Sequence, residues 1–190
     1  MSLFEKLSVA ALCGCLFLTN PNVSAKTGTR TYEDEHVELS YPDNRYNSVK
    51  VDANSESNFY TYLLHLRDVD ADDILTVCKG DIRKCGSYDG VKPYWYSEDG
   101  TLMLFSATTI VASKRSMGTG QTAYEAFPAC PTTDSRGRSH AYGAQCYELV
   151  VSQKGKTVSL TYWIGEMPNR KSKVDATRAA THILQSVKIK

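Results

Sequence analysis

The sequence predicts an α+β fold: a single domain with an antiparallel β-sheet meander, a middle helix, and a C-terminal helix packed on the sheet. Three observations predict it. Apolar and polar residues alternate in short runs, which is the period of half-buried strands. Those runs are separated by tight Asp-Gly and Lys-Gly turns, so neighbouring strands pair as hairpins. From Val174 to Val187 the apolar residues instead recur at three and four positions, the period of a helix.

Taken in order, Val37, Leu39 and Tyr41 alternate with Glu38 and Ser40, and Pro42-Asp43-Asn44 supplies a turn. Tyr46 to Val51 reads as a second strand and Asn58 to Leu66 as a third. Ile74, Leu75, Cys78 and Ile82 then fall at helical spacing behind Asp70, Asp72 and Asp73, so the middle helix is expected over Asp68 to Ile82. Tyr94 to Ser97 and Thr101 to Ala112 form a hairpin about Asp99-Gly100, and Tyr147 to Gln153 and Val158 to Ile164 another about Lys154-Gly155-Lys156. Between the hairpins, residues 113–145 hold six Gly or Pro residues and little periodicity, and are expected to be an irregular loop with a short strand at Thr122 to Phe127. The last helix is expected to follow Ser172 as its cap, with Val174, Ala179, Ala180, Ile183, Leu184 and Val187 repeating at three and four, and to pack its Ala-rich face on the sheet. At the level of fold this order resembles the PsbP-type sandwich, with early strands, a helix, meandering strands and a final helix with a short tail. The resemblance covers most of residues 26–190 as topology and implies no role for any residue.

Residues 1–25 have the layout of a cleavable signal peptide: a short head to Lys6, an apolar stretch from Leu7 to Leu18, and small residues at Val23-Ser24-Ala25. A dozen apolar residues rise only about 18 Å as a helix, too short to span a bilayer. The exported domain is thus expected to be 26–190, periplasmic or secreted, with no transmembrane span after cleavage. Leu12-Cys13-Gly14-Cys15 offers a minor alternative, lipid anchoring through Cys15, against which Phe17 and Leu18 continue the apolar run. The net charge of +1, with both signs interspersed, lacks the basic stripe that a nucleic-acid surface needs.

Four cysteines follow the signal, and an even number in an oxidising compartment favours two disulfides. The expected pairing is Cys78 to Cys85 and Cys130 to Cys146, because each closes a short local loop. Seven positions of unbroken helix would separate Cys78 and Cys85 by about 10 Å, beyond the reach of a bridge, so the chain must break between them, at Gly80. The spacings contain no CxxC pair of the kind that zinc sites use.

Chemistry is sparse. Asp68-Val69-Asp70-Ala71-Asp72 opens like a calcium loop, but Asp73 stands where that loop requires Gly and Lys79 where it requires Glu. Ser139 beside His140 lacks the turn motif that exposes a nucleophilic serine. None of the four histidines stands at the i, i+4 spacing of a helical metal pair, and no dinucleotide or phosphate loop is present. The sequence therefore predicts neither catalytic residues, nor a metal, nor a cofactor.

What remains is a binding surface. Asp134, Ser135, Arg136, Arg138, His140 and Tyr142 crowd the segment that Cys130 and Cys146 would tie into a loop. Tyrosine offers contact area at low entropic cost, and of the 12 in the chain Tyr142 and Tyr88 stand in loop-like surroundings. The expected function is a non-enzymatic domain whose partner is another protein: an inhibitor or immunity protein that neutralises a secreted toxin or cell-wall-active enzyme by docking the tied loop. The alternatives are an envelope accessory protein that binds lipid, glycan or an assembly partner, and a hydrolase of unfamiliar type built on Asp134 or His140.

Overall fold

The structure is a computed structural model that describes residues 28–52, 58–85, 94–96, 101–105, 109–117, 121–133, 139–153 and 155–190. The export segment expected at 1–25 lies outside the described residues. Among those described, all strand pairs are antiparallel and fall into three sheets.

The first sheet joins β1 (Thr29–Glu33) and β2 (Val37–Pro42) to the C-terminal strand Lys188–Ile189. Every second residue of β2 is buried, namely Val37, Leu39 and Tyr41, as the alternation requires. The main sheet begins with β3 (Tyr46–Val51), β4 (Phe59–Leu66) and β5 (Asp72–Cys78). A single helical turn, α1 (Ile82–Cys85), follows, and then a small third sheet of β6 (Tyr94–Tyr96), β7 (Leu102–Phe105) and β8 (Thr109–Val111). The chain returns to the main sheet as β9 (Ser113–Ser116), β10 (Thr122–Ala126), β11 (Ala129–Thr133), β12 (Ser139–Gln153) and β13 (Lys156–Gly165). The order across that sheet is β3-β4-β5-β13-β12-β10-β9, with β11 paired to β12 beyond β10. The helix α2 (Arg170–Ser186) and the short β14 (Lys188–Ile189) close the domain.

Three expectations for the middle of the chain are corrected. The middle helix over Asp68 to Ile82 is instead strand β5, hydrogen-bonded on both sides to β4 and β13. In this central strand Asp73, Leu75, Thr76, Val77 and Cys78 are all buried, so alternation disappears and a helical spacing can be read into the run. Residues 113–145 are not one irregular loop but hold β9, β10, β11 and the first part of β12. Their strand character comes from pairing: β9 is a polar edge strand, and β11 carries Pro131 at a register break between Cys130 and Thr132, where a missing N–H is tolerated. Thr101 to Ala112, expected as one strand, folds back so that β7 pairs with β8.

The second hairpin and the final helix form as expected. β12 and β13 form the long hairpin, turning at Gly155, whose φ of 74° belongs to the left-handed region that glycine adopts freely. The last helix buries Ala176, Ala180, Ile183 and Leu184 on the sheet. Its cap is Asn169 rather than Ser172: the Asn169 side chain accepts from the Ser172 backbone N–H at 2.9 Å.

The α2 face of the main sheet carries Tyr62, Leu64, Leu75, Val77, Tyr147, Leu149 and Leu160 in one continuous core. At its margin the turn before β3 is held by a buried charge pair. Arg45 donates to Asp73 through Nε (3.0 Å) and Nη2 (2.8 Å), and its guanidinium lies 3.7 Å from the Tyr162 ring centre. Asp73 also accepts from the Tyr46 hydroxyl at 2.5 Å and from the Trp163 backbone N–H at 2.7 Å. Burial works against the Arg45 charge, but Asp73 outweighs it and holds the guanidinium protonated.

Candidate functional site

Both expected disulfides are formed, with Cα–Cα distances of 5.9 Å for Cys78–Cys85 and 5.7 Å for Cys130–Cys146. The break between the first pair falls at Lys79 to Asp81, between the end of β5 and α1. Gly80 matters there because a Cβ at that position would come within 3.0 Å of the Cys85 sulfur. The second disulfide crosses the root of the β11–β12 hairpin.

That hairpin overhangs the sheet. β12 is 15 residues long, but β13 accompanies it only from Gln153 to Gln145, which faces Gly165. From Ala144 to Ser139 the strand pairs with β11 alone among the described pairings. The root is fastened: Cys130, Ala144 and Cys146 are buried together with Trp163 packed against them, and the Gln145 amide donates to the Phe127 carbonyl at 3.2 Å. The segment expected as an irregular loop is therefore a ribbon, which disulfide and ladder hold in one direction.

Of the expected binding residues, the structure places His140 and Tyr142 on this ribbon, both exposed. Asp134, Ser135, Arg136 and Arg138 lie outside the described residues, as does Tyr88. Tyr142 is 68% exposed, and one residue that sequence reasoning missed, Met167, is 93% exposed. These are the two most exposed large hydrophobic residues among those described. They share one end of the molecule, because β13 stops at Gly165 opposite Gln145 and Met167 follows two residues later. Gly165 makes that turn with φ at 131°, a conformation L side chains rarely adopt. The only sequence signal for Met167 was its place just before Pro168-Asn169, where α2 begins.

The remaining tyrosines behave as strand residues. Tyr41, Tyr62, Tyr147 and Tyr162 are buried, and Tyr60 stacks on His36 with ring centres 3.8 Å apart. The acidic run at Asp68 to Asp72 connects β4 to β5, where Asp72 meets His65 at 3.2 Å.

Fold and site together define an antiparallel α+β domain that presents a disulfide-fastened ribbon at one end. No protein-family model matches the chain, and no curated protein matches its sequence. Among solved structures it is similar to the cyanobacterial PsbP (CyanoP) from Synechocystis sp. PCC 6803, at 12% identity and a TM-score of 0.44, covering 91% of this chain and 99% of that one. A likeness at this level transfers no residue role.

Proposed function

We propose that this chain is an exported, non-enzymatic binding domain that grips a partner protein with the overhanging β11–β12 ribbon. The observation that carries the reading is the exposure of Tyr142 and Met167, two large apolar side chains at the end where the ribbon leaves the sheet. Exposed aromatic and Met side chains are enriched at the centres of protein interfaces. A ribbon already held by Cys130–Cys146 loses little conformational entropy on docking. Two intact disulfides fit an oxidising compartment, and no helix among the described residues is long and apolar enough to cross a membrane. In its finer form the reading is an inhibitor or immunity protein: the ribbon enters the cleft of a secreted toxin or cell-wall-active enzyme and blocks it.

The test is affinity capture from the native secretome and envelope with residues 26–190, beside a Tyr142→Ser/Met167→Ser variant of the same domain. One stoichiometric protein captured by the intact domain, and bound at least tenfold more weakly by the variant, is the expected result. Loss of that protein's enzymatic activity at equimolar ratio supports the inhibitor form. Equal capture by both, or capture by neither, removes the ribbon as the docking element.

A further inference from the structure

A second surface, independent of the ribbon, lies where α2 passes the edge strand β9. Arg115 faces it from the sheet, while Val174, Thr177, Arg178 and Thr181 face it from the helix. With His182 and Gln185 they bound an open groove of about 470 Å³, within the range of small-ligand sites. The helical residues recur at three and four positions, so they form one stripe about 16 Å long.

Every ionisable side chain that lines this groove is a nitrogen base. Arg115 and Arg178 each have a carboxylate neighbour, Glu125 and Asp175, that does not line the groove. Arg115 donates from Nη1 to Glu125 at 3.1 Å and to the Tyr147 hydroxyl at 3.3 Å, which leaves its other donors unengaged among the described residues. Arg178 lies 3.7 Å from Asp175, but that carboxylate is shared with Lys171 at 2.5 Å. One negative charge between two cations leaves the Arg178 side only partly neutralised. The Thr177 and Thr181 hydroxyls already donate to the Lys173 and Thr177 carbonyls at 2.9 and 2.6 Å, so hydrogen bonding to an anion falls to the guanidinium groups, His182 and Gln185. Val174, 49% exposed, provides an apolar shelf at one end of the stripe.

We propose that this groove binds a phosphate oxyanion, presented free or on a lipid headgroup, between Arg115 on one wall and Arg178 and His182 on the other. Opposed guanidinium groups contact different oxygens of a tetrahedral anion. In the headgroup case the shelf at Val174 receives the apolar stem.

The test is a titration of ¹⁵N-labelled protein with inorganic phosphate at low ionic strength, followed by vesicles of phosphatidylglycerol and of phosphatidylcholine. The same series is run on Arg178→Gln/His182→Gln and on Lys50→Gln, a charge-reducing control on the exposed side of β3. Arg178 and His182 are exposed, so the double variant keeps its thermal midpoint. Saturable shifts at Arg115 and at 177–185 are expected with phosphate, at least tenfold weaker in the double variant and unchanged in the control. Binding to phosphatidylglycerol vesicles alone, with the same dependence on Arg178 and His182, supports the proposal and assigns the site to a headgroup. No saturable shift with either probe, or equal shifts in the double variant, overturns it.

Discussion

The two faces of the main sheet are held by different physics. On the α2 face, Tyr, Leu and Val from β4, β5, β12 and β13 meet Ala176, Ala180, Ile183 and Leu184 in one apolar cluster. The opposite face is covered in smaller pieces: Phe59, Leu102, Leu104, Ala126 and Val150 gather around Cys78–Cys85, and Trp163 packs beside Cys130–Cys146. Between them run buried polar residues. Thr76 and Ser159 share a short hydrogen bond, and Thr157 donates to the Gly80 carbonyl at 2.9 Å. Glu148, wholly buried, accepts from Thr161 at 2.7 Å through one oxygen, while its other oxygen and the Trp163 indole N–H have no partner among the described residues. A continuous apolar face is stabilised by area removed from water, which needs no particular partner. A polar face with two staples is sensitive to single atoms and to protons.

The largest expected effect breaks the polar face by pH alone. Burial pushes the Glu148 carboxyl up to about 8, and Thr161 offsets this only in part. The unfolded chain ionises near 4.5 and the folded one does not, so the Glu148 contribution is complete below pH 4.5 and is lost as pH rises through about 8. The loss approaches about 5 kcal/mol. Urea unfolding followed by tryptophan fluorescence between pH 4 and 9 should show the wild type losing stability relative to Glu148→Gln. Parallel curves for the two would mean that the carboxyl is solvated.

The apolar face has one comparable weak point, at its margin. Asp73→Ala leaves Arg45 charged and largely enclosed without its carboxylate, and removes acceptors from Tyr46 and Trp163. A destabilisation of about 3–5 kcal/mol is expected in the same assay. A loss below about 1 kcal/mol would show that Arg45 escapes to water, and would leave single-atom sensitivity to the polar face alone.

The smallest effect separates fold from docking. Replacing Cys130 and Cys146 together by Ser opens a loop with a sequence separation of 16 and should lower stability by about 3 kcal/mol. Far-UV circular dichroism should be unchanged, because β11 keeps its ladder to β12. Collapse of the whole domain would instead make the disulfide part of the core.

How much of this was legible depended on what each residue contacts. The Tyr147–Gln153 and Val158–Ile164 runs showed their pairing because a short glycine turn between two runs rich in β-branched and aromatic residues is a local property. The α2 face of the last helix was legible for the same reason, through Ala180, Ile183 and Leu184. β5 was not, since a strand buried on both faces loses its alternation, and Asp73, read as a helix-start acid, is an ion-pair partner of Arg45, 28 positions away. Of the candidate site, Cys130, Cys146, His140 and Tyr142 were found from the cysteine spacing and the tyrosine content. Met167 was not, because its exposure follows from where β13 ends beside β12.

By itself, then, the sequence determined the α+β class, the long hairpin and the final helix, and it favoured the two local disulfide pairings that the structure forms, all of which depend on contacts within a few to some twenty positions. Tertiary structure alone decided that β5 is a strand, that the tied loop is an overhanging ribbon, and that Arg115 meets Arg178 and His182 across a groove. Those outcomes rest on neighbours tens of residues apart, whose meeting is set by sheet order and not by any local period.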